Sequence, residues 1–311
     1  MPCYSPLRGW RSRSRGANGR RPIVFKASEG YPDLPVKVPC GQCIGCRLER
    51  SRQWAIRCVH EASEYDDNCF ITLTYDNDHL PDLNSLNVRD WQLFMKRFRK
   101  KYSYRRFKFF HCGEYGDLNK RPHYHAIIFG VDFEDRRFFK ENNGVPLYTS
   151  ETLEKLWPFG YSTVGDVTFE SAAYVARYCL KKITGDAADA HYRVEKVDQD
   201  GVVTVVGYRK PEYTTQSNGI GRRWLDKYGR VVRRDDSVVL RGREMRPPRF
   251  YDKVFEHDAP EEFEKTRRRR ARSARVHQAD STPERLAVRE KVQHRRLPLL
   301  PRALGKKSEG D

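Results

Sequence analysis

The chain has 311 residues, near the size at which one hydrophobic core stops growing and a further module becomes common. Its 60 Lys and Arg against 42 Asp and Glu give a net charge of +18 at pH 7, which suits a polyanionic partner such as nucleic acid or an anionic membrane. No apolar run approaches the roughly 18 residues of a spanning helix, and no apolar segment of a secretory signal follows the early arginines. We therefore expect no membrane partner and a reducing cytoplasm, where eight cysteines are metal ligands or buried thiols rather than disulfides.

Residues 1–39 are rich in Pro, Gly, Ser and Arg, and we interpret them as an irregular basic lead-in with a short strand near 23–25. A knuckle of three cysteines follows at CxxCxxC spacing. A helix is then predicted over 47–65, because apolar residues recur at helical spacing while Arg and Glu fill the other face. The three knuckle cysteines are Cys40, Cys43 and Cys46.

Two residues between successive cysteines is a good spacing for thiolate ligands, but three cysteines are one short of a closed zinc site. Cys3 is the preferred fourth ligand and Cys58 the second choice. Free thiols at a tight turn and an iron–sulfur cluster are the alternatives. Structural zinc is preferred because the Gly-rich segment has little core of its own, and metal binding would order it.

The middle of the chain alternates between strand and helix patterns. The strands are marked by β-branched and aromatic residues, and the helices by apolar stripes, with Ser150 as an N-cap. This order predicts a ferredoxin-like α+β sandwich, with an antiparallel sheet and helices on one face. The predicted elements are strand 69–75, helix 88–101, strand 107–115, strand 121–130, helix 150–157, strand 161–167 and helix 169–183.

The third predicted strand carries His123 and His125, with Tyr124 between them. Side chains alternate along a strand, so both imidazoles face the same way and could hold one metal ion. The alternative is a pair of partly exposed histidines on an edge strand. Glu114 ends the preceding strand and could approach them across a hairpin as a third ligand, and His111 is an alternative contact. These mixed nitrogen and oxygen ligands suit Mg²⁺ or Mn²⁺.

The last predicted helix of this region carries two tyrosines one turn apart, Tyr174 and Tyr178, with Lys181 and Lys182 a turn beyond. Ordinary core aromatics with a solvated cationic end are the alternative. A phenol titrates near pH 10, and neighbouring ammonium groups or a metal-bound phosphate would help it become a phenolate nucleophile. Attack on a phosphodiester would be a transesterification that leaves a phosphotyrosine and a free sugar hydroxyl.

Toward the C-terminus a hairpin is predicted within 190–210 and a helix over 222–228, and order is doubtful beyond about 230. The predicted segments are 1–66 (lead-in, knuckle and helix), 67–230 (the α+β domain with a downstream extension) and 231–311 (a basic, partly disordered tail). A charge block in the tail would contact polyanions without sequence choice. The arginines expected to contact DNA are Arg177, Arg222, Arg223, Arg267, Arg268, Arg269 and Arg270.

Several motifs together resemble one family, the replication initiator proteins of gokushovirus-like microviruses, which are HUH rolling-circle endonucleases. His123–His125 resembles the HUH motif, although its middle residue is Tyr rather than aliphatic. The resemblance runs in order over about residues 1–230. The other matching segments are 39–57 with the cysteine knuckle, 70–74, 173–178 with Lys181 and Lys182, and 219–224.

This resemblance implies the HUH endonuclease fold and an initiator that nicks origin DNA and stays attached to the 5′ phosphate, leaving a 3′ hydroxyl for a host polymerase. It implies His123, His125 and Glu114 as ligands of the catalytic Mg²⁺ or Mn²⁺, and two tyrosine nucleophiles, Tyr174 and Tyr178. Lys182, with Lys181 as the alternative, would stabilise charge on the phosphate or assist a tyrosine.

Two other functions compete with this interpretation. One is a non-enzymatic, zinc-stabilised binder of single-stranded DNA, which would use the basic residues and the 12% aromatic content for phosphate contact and stacking. The other is a transposase or relaxase of the HUH class. No Walker-type phosphate loop is present, so no helicase activity is expected, and host replication proteins are possible partners. The place of action implied is the cytoplasm of the bacterial host cell.

Overall fold

A computed structural model of the protein describes residues 3–16, 19, 21–116, 119–142, 144–177, 182–183 and 185–297. The described helices are numbered α1 to α9 in chain order. They are Ile44–Ala62, Val88–Lys101, Glu151–Leu156, Phe169–Arg177, Ala187–Tyr192, Arg222–Asp235, Arg249–Asp258, Pro260–Val276 and Pro283–Arg296. Within these ranges no helix is long and apolar enough to cross a membrane.

The described strands are numbered β1 to β14 in the same way. They are Leu7–Ser12, Ile23–Val24, Gly30–Val38, Asn68–Tyr75, Lys108–Tyr115, Pro122–Phe129, Arg137–Asn142, Val145–Thr149, Gly160–Gly165, Arg193–Val197, Val203–Tyr208, Tyr213–Gln216, Val238–Leu240 and Arg243–Met245.

The chain divides into two compact units. One contains the residues up to Arg50 together with those from Glu264 onward, and the other contains Ser51–Phe263. This division differs from the predicted segments, since the first unit draws on both ends of the chain. The beginning of α1 and most of α8 therefore belong to the same unit as the cysteine knuckle.

The predicted short strand near 23–25 is present as β2, but the rest of the predicted irregular lead-in joins it in a three-stranded antiparallel sheet in the order β2-β1-β3. The prediction was wrong because β3 contains Pro32 and Pro35, which usually argue against a strand. Here β3 is an edge strand, where a residue without an N–H can be tolerated.

The second unit is built on a seven-stranded sheet in the order β12-β5-β6-β4-β9-β8-β7, and its strand pairs are antiparallel. The α+β class with a large antiparallel sheet is therefore confirmed. The predicted hairpin of β5 and β6 forms, and so does that of β10 and β11. Helix α2 begins and ends where the apolar stripe predicts.

Helices cover both faces of this sheet, so the expectation of helices on one face was wrong. Aromatic residues of α2 pack on one face with Tyr124 and Trp157. On the other face Cys58 of α1 and Ala172 and Val175 of α4 pack against Phe110 and other residues of the central strands. Alternate residues of these strands are apolar on both sides, which requires a cover for each face.

The tyrosine helix is shorter in the structure than predicted. The described part of α4 is Phe169–Arg177, and Lys182 and Ile183, at the end of the predicted helix, are not helical. Ile183 instead packs against the aromatic core, and its backbone N–H donates to the hydroxyl of Tyr192 at 3.0 Å.

Order continues well beyond residue 230, contrary to expectation. Helix α6 extends to Asp235, and a short hairpin of β13 and β14 precedes α7. Tyr251 and Val254 of α7 are buried in a separate apolar cluster with Ile56 and Leu225. The polar composition of this region concealed these few buried residues.

Candidate functional site

The strand register decides which polar side chains share a face of the central sheet. Glu114 on β5 pairs directly with His123 on β6, and Cys112 pairs with His125. On the other side of β6, Thr74 and Thr72 of β4 pair with His123 and His125. Directly paired residues of antiparallel strands point to the same face, so Glu114 lies on the face of both histidines.

His125 is held between two polar partners. Its Nε2 lies 3.0 Å from Oε1 of Glu114, and its Nδ1 lies 3.0 Å from the hydroxyl of Thr72. The His125 and Glu114 side chains are only 7% and 5% exposed. A carboxylate only accepts hydrogen bonds, so Nε2–H donates to Glu114 and the Thr72 hydroxyl donates to Nδ1. With the proton moved to Nδ1, Thr72 could accept it and Nε2 would be free to bind a cation.

His123 is oriented by the backbone. Its Nδ1 donates to the carbonyl oxygen of Arg121 at 2.7 Å, so Nε2 is the ring nitrogen that could bind a cation. The same carbonyl accepts the N–H of Gly116 at 2.9 Å. The rings of His123 and His125 are nearly parallel, with centroids 6.3 Å apart.

The donor atoms around His125 suit a divalent cation. Two ligand atoms at about 2.1 Å from an octahedral ion are about 3.0 Å apart, as His125 Nε2 and Glu114 Oε1 are. His123 contributes a further nitrogen on the same face. His123, His125 and Glu114 do not form a compact group of three, however. Among the described residues, only the four cysteines have ligand atoms that all lie within 4.8 Å of one another.

Tyr124, the middle residue of the motif, points to the opposite face and is fully buried. Its hydroxyl accepts the backbone N–H of Asn87, the N-cap of α2, at 2.9 Å. It also lies 2.9 Å from the hydroxyl of Tyr75, which donates to Asp90 at 2.6 Å. The Tyr124 hydroxyl therefore ties β6 to the beginning of α2.

Helix α4 places Tyr174 against the histidine face. Its ring contacts that of His125 edge to face, with centroids 5.4 Å apart, and that of Phe70 at 6.2 Å. Ala172 and Val175 anchor the helix in the apolar cluster below. Tyr178 and Lys181 lie outside the described residues, and Lys182 is exposed.

His111, the alternative contact, does not join this site. Residues on β5 alternate, so it faces the aromatic core, where it stacks on Trp91 with centroids 3.6 Å apart. Its Nδ1 lies 2.9 Å from the hydroxyl of Thr215. Complete burial lowers the pKa of His111 well below its usual value.

The cysteine knuckle forms a second site in the other unit. Four Sγ atoms, those of Cys3, Cys40, Cys43 and Cys46, all lie within 4.8 Å of one another. The Sγ atoms of Cys43 and Cys3 are 3.9 Å apart. Four sulfurs at about 2.3 Å from a tetrahedral zinc are about 3.8 Å apart, so the group could hold such an ion. Cys3 is thus the fourth member.

Backbone N–H groups surround these sulfurs. Cys40 N–H donates to Cys3 Sγ at 3.2 Å, and Tyr4 N–H donates to Cys43 Sγ at 3.3 Å. Burial raises the pKa of the Cys43 thiol, but hydrogen bonds from the backbone of Cys46 and Tyr4 outweigh it and lower that pKa to about 7. Such donors favour the thiolate of Cys43, the form that binds metal, whereas burial raises the pKa of the Cys3 and Cys46 thiols.

Cys58, the second choice as fourth ligand, is fully buried in the apolar cluster on the histidine face. It packs there with Phe70 and Val175 and belongs to the second unit. It therefore acts as a small apolar core residue rather than as a member of the cysteine group.

Comparison with known proteins assigns the chain to a family. The family model described as replication-associated protein ORF2/G2P matches residues 68–183. The chain is 34% identical over 273 residues to replication-associated protein VP4 of Bdellovibrio phage phiMH2K, which covers 85% of this chain and 80% of that protein. The chain belongs to the family of phage replication-associated proteins.

Two further relatives support the assignment. Replication-associated protein ORF2 of Spiroplasma virus 4 is 28% identical over 239 residues, which are 73% of this chain and 70% of that protein. Replication-associated protein ORF4 of Chlamydia phage 1 is 31% identical over 239 residues, which are 73% of this chain and 55% of that protein. No solved structure matches the chain at a significant level.

In this replication-associated protein the segment 219–224 forms a turn that leads into α6. The fully buried carboxylate of Glu61 accepts the N–H of Gly221 at 2.5 Å and lies 2.8 Å from Nζ of Lys108. Lys108 also donates to the carbonyl of Gly219, and Arg57 donates to that of Ile220. A Cβ on Gly221 would lie 2.6 Å from the hydroxyl of Tyr251, so this turn requires glycine.

Sequence reasoning missed Glu61, Lys108 and Arg57 as supports of this turn. Each looks like an ordinary solvated charge on an amphipathic helix or strand end, and nothing local distinguishes them. Only the return of the chain after β12 brings the turn onto them.

The arginines predicted to contact DNA lie in different surroundings. Arg222 pairs with Asp226 at 2.7 Å, and Arg223 lies over the ring of Tyr65. On α8, Arg267 and Arg268 both contact Glu264. Arg269 and Arg270 follow on the same helix, and Arg177 lies in α4.

Proposed function

We propose that the protein initiates rolling-circle DNA replication by nicking and rejoining a single strand of origin DNA through a phosphotyrosine intermediate. The observation that carries this proposal is the edge-to-face contact of Tyr174 with His125, whose Nε2 is hydrogen-bonded to the buried Glu114. It brings a phenol, an imidazole and a carboxylate together on one face. Membership of the replication-associated family supports it.

The strand order also supports this proposal. In chain order the core elements are β4, α2, β5, β6, α3 and β9, and the four strands lie in the sheet as β5-β6-β4-β9. This is the arrangement of a ferredoxin-like β-α-β-β-α-β unit, on which an HUH endonuclease site would be built. Strands β7 and β8 are then an insertion between the third strand and the second helix.

In the proposed site His125, Glu114 and His123 would hold Mg²⁺ or Mn²⁺, and Mn²⁺ suits imidazole better. The ion would supply charge stabilisation and orientation of the scissile phosphate. Thr72 would fix the ring of His125 and take up its Nδ1–H, and the Arg121 carbonyl would fix that of His123.

The tyrosines would carry the covalent step. The phenolate oxygen of Tyr174 would attack the phosphorus, the new Tyr–O–P bond would replace the bond to the 3′ oxygen, and that oxygen would leave and take up a proton. After one round Tyr178 would attack the regenerated origin in the same way and release a new 3′ hydroxyl. That hydroxyl would then attack the first phosphotyrosine, expel the Tyr174 oxygen and close the displaced circle. Lys182, or Lys181, would stabilise the charge on the phosphate.

Four cysteines would bind a structural zinc. In that role the ion would order the N-terminal unit, since apparent zinc binding can contribute on the order of 10 kcal/mol. Cys43→Ser should lower the zinc content measured on the purified protein and unfold this unit. Adduct formation at the sheet should survive, and unchanged zinc content would contradict the assignment.

The decisive experiment is a covalent adduct assay. Labelled single-stranded origin DNA is incubated with the protein and Mn²⁺, denatured, and resolved by gel. We expect an adduct that is lost in the Tyr174→Phe, Tyr178→Phe double variant and retained in Tyr104→Phe, a matched change at an exposed tyrosine.

Binding without any adduct under several metals would reject the nicking function. It would favour a non-enzymatic binder of single-stranded DNA instead. An adduct on other DNA, with none on the phage origin, would favour a transposase or relaxase. The proposed place of action is the host cytoplasm, with host replication proteins extending the 3′ end.

A further inference from the structure

The row of paired residues through His123 continues across a fourth strand. Glu114 pairs with His123, His123 with Thr74, and Thr74 with Tyr161 at the beginning of β9. Each pair is antiparallel and directly opposed, so all four side chains lie on one face of the sheet. Tyr161 therefore shares its face and row with two of the proposed metal ligands.

Exposure rises along this row. Glu114 is buried, His123 and Thr74 are half-buried, and Tyr161 is 70% exposed. The face is covered by α4 near His125, where Tyr174 packs, and opens toward β9. Tyr161 belongs to none of the three apolar clusters found among the described residues. Its ring is thus presented to solvent beside the proposed site rather than used in the core.

The backbone beneath this ring is tightly fixed. Gly160 adopts φ +143°, and a Cβ there would lie 2.2 Å from the backbone nitrogen of Asp76. The N–H of Asp76 donates to the carbonyl of Phe159 at 3.0 Å. The indole of the buried Trp157 donates to the carbonyl of Thr74 at 3.1 Å. A fixed backbone holds an exposed aromatic ring in place at little entropic cost.

The distance suits a nucleotide next to the reacting phosphate. Neighbouring strands are about 4.8 Å apart, so Tyr161, two strands from His123, lies about 10 Å away along the row. An aromatic ring offers a face on which any base can stack, and a net charge of +18 favours a nucleic acid strand on the protein surface.

We propose that Tyr161 is a stacking platform for an unpaired base of the DNA strand, close to the phosphate held by the Glu114–His123 end of the row. This inference rests on the proposed nicking function. It adds a positioning residue on β9. This residue would hold the DNA strand across β6, β4 and β9, while Tyr174 and Tyr178 act on the phosphate.

The test measures binding without cleavage. Fluorescence anisotropy follows a short labelled single-stranded oligonucleotide of mixed sequence, without added divalent metal. Tyr161→Ala should weaken binding by about 5- to 140-fold, the range expected for loss of one stacked base. Its salt dependence should match the wild type, because no phosphate contact is lost. Tyr161→Phe should bind like the wild type.

Tyr104→Ala is the matched control, since Tyr104 is 74% exposed and lies in the turn before β5, beyond the opposite strand end from Glu114. It should bind like the wild type. Thermal unfolding of all three variants checks that the fold is kept. Tyr161→Ala binding like the wild type would overturn the proposal, and so would equal losses in Tyr161→Phe and Tyr161→Ala, which would assign the effect to the hydroxyl.

An adduct assay on the same variants separates this proposal from the nicking function. If no protein forms an adduct while Tyr161→Ala still weakens binding, nicking fails and the stacking platform stands. If all form adducts and bind equally, the platform fails and nicking stands. Mapping the adduct to Tyr161 itself would overturn the platform by making this residue a nucleophile.

Discussion

Strand β6 presents two different surfaces from neighbouring residues. His123 and His125 lie on a face with Glu114, Thr72 and an overlying tyrosine, whereas Tyr124 lies among aromatic residues on the other face. Both faces contain buried polar groups. On the histidine face these are groups that can bind an ion, while the Tyr124 hydroxyl is committed to the backbone of α2.

Under the proposed function, one face of the strand would serve reactivity and the other stability. The histidine face keeps titratable groups with exchangeable partners, which is a requirement for binding a metal and a phosphate. The tyrosine face satisfies its polar atoms permanently, which fixes the helix and hence the strand. Changes on the two faces should therefore affect different measurements.

The largest effect is expected for His125→Gln. The amide can still donate to Glu114, so stability should change little, but a ligand nitrogen is lost. We expect the rate of adduct formation to fall at least about 100-fold, since metal catalysis contributes several kcal/mol. His257→Gln, at a highly exposed histidine of α7, is the control. A wild-type rate in His125→Gln would remove this residue from the site.

The converse change is Tyr124→Phe, which removes only the hydroxyl. The N–H of Asn87 then loses its partner beneath the sheet, and we expect a loss of about 1–3 kcal/mol in the free energy of unfolding by urea. Adduct formation at a temperature where the variant is folded should be unchanged. Unchanged stability with lost activity would reverse the roles of the two faces.

A smaller effect concerns pH and the neutral His111 on the tyrosine face. Burial holds its pKa below that of the unfolded chain, so its contribution to stability is present above about pH 6.5 and is lost as pH falls. For this one histidine, the free energy of unfolding changes by at most about 1.4 kcal/mol per pH unit.

Urea unfolding from pH 7 to pH 5 should therefore show a shallower pH dependence in His111→Leu than in the wild type. Some pH dependence of stability should remain in His111→Leu, because burial also lowers the pKa of His60 to about 4. His60 therefore also destabilises the folded protein as pH falls. Equal slopes in both proteins would mean that His111 is protonated in the folded state.

The smallest effect is expected for a change on α8. Replacing the four residues of the block Arg267–Arg270 by Gln should weaken binding of single-stranded DNA more at low salt than at high salt. Each lost phosphate contact lowers the slope of log binding constant against log salt concentration by about 0.7. The total change should be less than four such contacts would give, because two of these arginines pair with Glu264. An unchanged slope would show that α8 does not touch DNA.

Sequence patterns predicted the parts of the fold that depend on local periodicity. The stripe of Trp91, Phe94 and Phe98 defined α2, and Ser150 caps α3 through the N–H of Leu153 as expected. The edge strand β3 was concealed by its prolines. The few buried residues of α7 were concealed by the surrounding charges.

The candidate sites show the same limit. Alternation along β6 predicted that the two histidines share a face, but the position of Glu114 depends on strand register, which is set by the whole sheet. Spacing predicted three of the cysteines. Cys3 was the preferred fourth member, and the structure confirms that it joins the group, although the strand pairing of β1 and β3 that leads to it was not predicted.

The discontinuous first unit also affects how the protein is made. It needs the residues up to Arg50 and those from Glu264 onward, so a ribosome must add roughly 200 residues between its two parts. At about 5–20 residues per second this takes on the order of 10–40 s. During that time the second unit can fold as a continuous segment, while the first waits with its cysteines already outside the ribosome. Synthesis therefore favours completion of the histidine-bearing sheet before the cysteine-bearing unit.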